Sequence, residues 1–145
     1  MTTTLVIGLD GHESGERVLD YGKRMAGLIQ DSELLIVYIV EWSPYSFQTP
    51  EENAERHKRR EQEISTAFER VVNPAVEKLE KAGIKAKGIV RHGHVADILN
   101  SVAKEQNAEQ IIVGRSSGRG LAGRIFGSST SNLVMNAAVP VTVIG

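Results

Sequence analysis

The chain has 145 residues, 41% of them hydrophobic and 24% charged, with a net charge of −1. That size suits one domain with its own core, and the balanced charge excludes a general nucleic-acid or membrane-surface role. The absence of cysteine excludes disulfides, thiol catalysis and zinc–thiolate centres.

Thr4-Leu5-Val6-Ile7-Gly8-Leu9 is a short run of β-formers ending at Asp10-Gly11, which predicts a first strand buried on both faces. The start, Met1-Thr2-Thr3-Thr4, lacks a basic region and does not read as a signal peptide, so the expected location is cytoplasmic. Glu13 and Ser14 open a helix whose buried stripe is Val18, Tyr21, Met25 and Ile29. A second strand is expected within 33–41, around Leu34-Leu35-Ile36-Val37-Tyr38-Ile39-Val40. This longest apolar run is too short to cross a bilayer. Segment 42–50 holds two prolines and three aromatic residues and reads as a loop folded over other structure.

The charged stretch 51–82 carries Ile64, Phe68, Val71, Ala75 and Leu79 as an apolar face, and Pro74 within it is expected to kink or restart the helix. Lys58-Arg59-Arg60 is interleaved with Glu51, Glu52, Glu55, Glu61 and Glu63, the pattern of a solvated helix face with i,i+4 pairs. Gly83 ends that helix, and 85–91, with Gly88 inside it, reads as a third strand at a sheet edge. His92 and His94 share a side if the chain is extended there, yet a metal site needs further ligands and none is evident by spacing. A helix over 95–106 turns Ile98, Leu99 and Val102 inward. The fourth strand is 109–113, and Val139-Pro140-Val141-Thr142-Val143-Ile144 is the fifth.

Between the fourth strand and the last helix the chain is rich in glycine, serine and arginine, and no Asp or Glu occurs after Glu109. Glycines let a backbone approach a ligand closely. A helix starting near Ser128 turns free N–H groups and its dipole toward an anion. Arg115, Arg119 and Arg124 add positive charge. Gly118-Arg119-Gly120-Leu121-Ala122-Gly123 matches the dinucleotide fingerprint, but the acidic residue needed about twenty positions on is missing, which excludes NAD or FAD. Ser128, Ser129, Thr130 and Ser131 read as helix caps. As nucleophiles they would need a base held by a third group, and no catalytic residue is assigned.

Alternating strands and helices predict an α/β fold: a five-stranded parallel sheet in the order 3-2-1-4-5 with helices on both faces. Strand order then reverses between the first and fourth strands, and ligands bind outside their carboxyl ends, at Asp10 and Gly114. Asp10 is placed either to accept hydrogen bonds from a ribose or base or to cap the first helix. Ile39 offers an apolar wall, while the loop amides and the helix at Ser128 take phosphates.

Nearly end to end, the chain resembles the universal stress protein family. The likeness lies in the opening strand with Asp10-Gly11, in Leu35-Ile36-Val37-Tyr38-Ile39-Val40, in Ile111-Ile112-Val113-Gly114 and in the last strand. Nucleotide-binding members carry G-x2-G-x9-G-[S/T] after the fourth strand. Gly114, Gly127 and Ser128 match it, whereas the middle glycine is Ser117 here, with Gly118 beside it. His12 stands where many relatives have serine. The resemblance implies a single domain over 1–145, a Rossmann-like three-layer sandwich of the adenine nucleotide alpha hydrolase type. It implies ATP as ligand, or ADP or AMP, with or without Mg²⁺. Asp10 and Ile39 would meet the adenine and ribose, with Val113 and Gly114 beneath. Ser117, Gly127, Ser128 and Ser129 would surround the phosphates, and Arg115, Gly118 and Thr130 complete the cofactor-binding set.

The implied function is a stress-response regulator with an unidentified protein partner, acting as a homodimer through the last strand, 139–144. That strand is apolar and has no lysine to blunt its edge. At most slow ATP hydrolysis is expected, since Asp10 is the lone carboxylate near the phosphate end. Ser117 motivates a second reading, an interaction module that binds no nucleotide. A phospho-accepting response regulator is a third, but Arg91-His92-Gly93-His94 stands where its acceptor aspartate belongs.

Overall fold

In the computed structural model, residues 2–9, 14–41, 49–115 and 128–145 are described. Strands β1 (Thr3–Leu9), β2 (Ser32–Glu41), β3 (Lys85–Gly93), β4 (Gln110–Gly114) and β5 (Val141–Ile144) alternate with helices α1 (Ser14–Leu28), α2 (Pro50–Ala67), α3 (Asn73–Lys81), α4 (Val95–Glu105) and α5 (Ser128–Asn136). All strand pairs are parallel and the sheet order is β3-β2-β1-β4-β5, as the alternation predicts. Successive side chains point to opposite faces, so each strand feeds two cores. Leu5, Ile7, Leu34, Ile36 and Ile112 pack with Val18 of α1 and with Val76 and Leu79 of α3. Val6, Leu35, Val37, Ile111 and Val113 pack with Leu99 and Val102 of α4 and Leu133 of α5. With helices on both sides, the central strands read as unbroken apolar runs. The α1 stripe is as predicted: Val18 is buried, and Tyr21, Met25 and Ile29 pack against the same core.

The long second crossover departs from the sequence expectation in an informative way. Thr49 accepts from the Glu52 N–H while the Glu52 carboxylate accepts from the Thr49 N–H, a capping box that starts α2 at Pro50. Pro50 is therefore helical and not part of a loop, its missing N–H harmless at a first helical position. The rest of the expected aromatic loop, 42–48, lies outside the described residues. Pro74 marks a restart, one of the two expected outcomes: it stands in the first turn of α3, which begins at Asn73. A proline mid-helix has no N–H and crowds the carbonyl four residues back, and here the preceding turn, Phe68–Val72, widens to π geometry, with the Asn73 N–H donating to the Phe68 carbonyl. The extra residue rotates the buried face. Ala67, Val72, Ala75, Val76 and Leu79 are buried, while Phe68 is 40% exposed and Val71 only half-buried, so the apolar stripe expected from even spacing fails at those two positions.

After α3 the Gly83 N–H donates to the Glu80 carbonyl and the Ile84 N–H to the Leu79 carbonyl, a Schellman stop with Gly83 at φ 82°. Gly83→Ala should therefore cost about 1 kcal/mol, the strain of a Cβ in the left-handed region, read as a lowered urea midpoint with unchanged slope. The third strand is an edge as expected, but it runs on through His92 to Gly93, and His94 becomes the residue before α4. Helix α4 ends at Glu105, one residue short of the expected 106. The last strand begins at Val141 instead of Val139: Pro140 precedes it, and its carbonyl accepts from the Ile111 N–H at 2.9 Å.

Candidate functional site

Strand order reverses at β1, which has β2 on one side and β4 on the other. Connections leave these two neighbours in opposite directions, opening a crevice at the carboxyl ends of β1 and β4. Register brings Gly8 beside Val113 and Leu9 beside Tyr38, so the ends of β1, β2 and β4 form one rim. Gly114 closes β4 opposite Ile144 of β5, and the next residue, Arg115, donates its N–H to the Ile144 carbonyl at 2.8 Å.

The candidate residues divide into three groups. Ile39 and Val113 lie at the rim, but each is only 7% exposed and both belong to the core under α4 and α5, so an incoming base would meet their edges and not a broad apolar wall. The backbone of Ser128, Ser129 and Thr130 forms the first turn of α5, the helix start expected near Ser128, and Thr130 is a polar residue buried to 8% exposure. Arg115 is exposed, and its guanidinium lies over Gly145, on the β5 side. Asp10, Ser117, Gly118 and Gly127, like His12, Arg119 and Arg124, lie outside the described residues. Among the described residues no group of three or more His, Cys, Asp or Glu is arranged to hold a metal ion. No helix among them is long and apolar enough to cross a membrane.

A second charged feature occupies the carboxyl end of β3, and the sequence reading missed it. Arg91 forms two bonds to Glu105 of α4, at 2.9 and 3.4 Å, and this contact holds the Glu105 carboxyl below the usual carboxylate range. Strand alternation turns the next residue, His92, to the opposite face, toward α2. There burial, then the Arg60 guanidinium, keep its pKa below the ordinary histidine value; Arg56 acts the same way and Glu63 opposes them. Arg60 was expected on a solvated face with Lys58 and Arg59. Those two are exposed, but Arg56 and Arg60 are half-buried. The available signal was spacing: Arg56, Arg60 and Ile64 stand at i, i+4 and i+8, one face of a helix. The solvated side of α2 does carry an i,i+4 pair, His57 with Glu61 at 3.2 Å, of the exposed kind that contributes little to stability.

Comparison with known proteins places the chain. The sequence model of the Universal stress protein family matches residues 1–145. A universal stress protein of Mycobacterium tuberculosis, Rv1636, is 29% identical to it over 97% of this chain and 94% of that one. Among solved structures, universal stress protein UspA from Lactobacillus plantarum superposes with a TM-score of 0.79 at 20% identity, covering 99% of this chain and 97% of the other. A universal stress protein in complex with cAMP superposes at 0.65 and 22% identity, over 98% and 95% of the two chains. One from Archaeoglobus fulgidus in complex with dAMP superposes at 0.63 and 18% identity, over 99% and 98%.

Proposed function

The chain belongs to the universal stress protein family, and from that premise we propose that it binds an adenine nucleotide in the crevice between the carboxyl ends of β1 and β4. The observation that carries this reading is the reversal of strand order at β1, with β4 leading by way of the glycine-rich segment into the start of α5. In this reading Asp10 accepts from the ribose or base, and Ile39 and Val113 edge the adenine. The amides of 115–118 and 127–130 hold phosphate oxygens. The bound cAMP and dAMP of two structural neighbours support an adenine ligand with a phosphate, and ATP with Mg²⁺ is the larger alternative. Occupancy would bias the 115–127 segment, and so the surface shown to a regulatory partner, in a homodimer joined along β5 in the cytoplasm.

The test begins with the purified protein. It is denatured and any released nucleotide identified by chromatography, then stripped protein is titrated calorimetrically with AMP, cAMP and ATP, each with and without Mg²⁺. Saturable binding of at least one adenine nucleotide below millimolar concentration is the expected result. No heat and no released nucleotide at millimolar levels would favour the second reading, an interaction module without nucleotide, for which Ser117 in the place of a motif glycine is the specific sign.

A further inference from the structure

The two edges of the sheet are finished in different ways. On β3 the exposed side chains of Lys85 and Lys87 stand along the open edge, the usual guard against a stray strand. At the other edge β5 pairs with β4 alone among the described strands, and it carries no such guard. From Ile125 to Gly145 the sequence has no Asp, Glu, Lys, Arg or His, in a chain that is 24% charged. This neutrality extends from the strand onto α5. Leu133 turns inward, at 2% exposure, and Asn132 and Asn136 border a cleft against Ala96 and Asn100 of α4. At about 100° per residue, Val134 falls on the flank away from α4 and Met135 points outward; they are 49% and 81% exposed. Helix α4 packs over the β1 and β2 side. The free flank of α5 therefore lies toward β5, whose Val141 and Val143 are half-buried on the same face.

We propose that the open edge of β5 and the free flank of α5 form one contact surface for a second copy of this chain, and that this contact and a phosphate at the start of α5 reinforce each other. The proposal rests on the reading above, which joins copies along β5 and seats phosphate at 127–130. The absence of charge selects the occupant. Two copies meeting about a two-fold axis apply the same patch to each other, so β5 lies antiparallel to its twin and any charge near the axis meets its like. A partner of different sequence could answer a lysine with an acid, and nothing would then require neutrality over both elements. Charged residues are also depleted at the centre of protein interfaces.

The link to the crevice runs through one short helix. α5 has 9 residues, and Val134 stands less than about two turns from its start at Ser128. Of its described side chains only Thr130 and Leu133 are buried. So light an anchorage belongs at the low end of local stability. A phosphate at the N-terminus and a partner on the flank order the same residues. Whichever arrives second meets a helix already ordered, and so binds more tightly. The coupling is reciprocal: nucleotide tightens the dimer by the factor by which the dimer tightens nucleotide.

Sedimentation equilibrium of the nucleotide-free chain reads the surface by itself. The wild type should dimerise at micromolar concentration, and Val134→Glu should raise the dissociation constant at least about tenfold. The same charge placed by Gln62→Glu on α2, which packs toward the opposite edge, should change nothing. Should Val134→Glu lower the urea midpoint, Met135→Lys decides, because that side chain is 81% exposed. Equal effects of Val134→Glu and Gln62→Glu, or a dimer indifferent to both substitutions on α5, overturn the surface. A wild type that stays monomeric at millimolar concentration also overturns it, in favour of a partner of another sequence. Saturating AMP, cAMP or ATP with Mg²⁺ then reads the linkage. At least one should lower the dimer dissociation constant about fivefold or more, and its affinity should rise by the same factor when the protein is titrated above its dimer midpoint instead of below it. Saturable binding that leaves the dimer unchanged overturns the linkage but not the crevice. No binding by any of the three overturns the crevice reading and the linkage together, while the surface stands on the first measurements.

Discussion

Gly88→Ala should lower the stability of this chain by about 2 kcal/mol, the cost of forcing a methyl into a filled core. Gly88 lies on β3 directly under the π turn. A Cβ there would collide with Val72 Cγ1 and sit 3.3 Å from Phe68 and 3.5 Å from Val76. Val72 is fully buried and β-branched, with one strongly preferred rotamer in a helix, so it cannot turn aside. The turn itself is fixed by Pro74, which follows it by two residues. Val72→Ala alone should also cost about 2 kcal/mol, from lost burial and a residual cavity. Together the two changes should cost at least about 1 kcal/mol less than their sum, because the alanine methyl from β3 fills the space that Val72 leaves. Urea unfolding of the four proteins checks this, and strict additivity would show that the glycine and the valine do not share that space. Gly22→Ala makes a useful contrast. Its Cβ would meet the tip of Ile7, a terminal methyl that can swing away, so its cost should be the smaller.

Asp10→Ala should weaken adenine-nucleotide binding by about ten- to a hundredfold, the loss of a hydrogen bond or two to a charged acceptor. The residue directly follows β1, beside the point where strand order reverses. The competing role is helix capping, since α1 starts at Ser14. The two roles separate cleanly in measurement. A lost cap lowers stability by about 1 kcal/mol and leaves affinity intact at saturating folded protein. A lost ligand contact lowers affinity while the urea midpoint of the unliganded chain stays put. Titration calorimetry and unfolding on the same preparation distinguish them.

The sheet order was legible because the evidence for it is redundant. Five strand-like segments alternate with amphipathic ones, right-handed crossovers allow few arrangements, and the both-faced burial of the central strands β1, β2 and β4 shows as uninterrupted Leu, Ile and Val at Leu5-Val6-Ile7, Leu34-Leu35-Ile36-Val37 and Ile111-Ile112-Val113. Gly83 was legible for a local reason, since a left-handed helix stop leaves few choices of residue. The inward face of 64–79 was not, because periodicity assumes a constant turn. Pro74 announces a disturbance, yet whether the helix breaks, bends or takes up an extra residue depends on what lies beneath, and that was Gly88, in another element. Arg56 and Arg60 escaped notice for a similar reason. Charge interleaving describes a helix surface as a whole, whereas which charges turn inward is set by the position of β3 and its His92. At the crevice the motif spacing from Gly114 to Ser128 marked the start of α5 correctly. Ile39 and Val113 serve the core first, as residues at the ends of buried strands do.

The place of β1 at the centre of the sheet has a consequence for how the protein is made. Leu5 pairs with Leu34 on one side and with Gln110 on the other. A ribosome delivers the first partner early and the second roughly ten seconds later, at ordinary elongation rates. Throughout that interval the nascent chain carries an open row of amides and carbonyls along its innermost strand, the kind of surface that recruits strangers. Chaperone demand during translation should therefore fall sharply once β4 clears the exit tunnel.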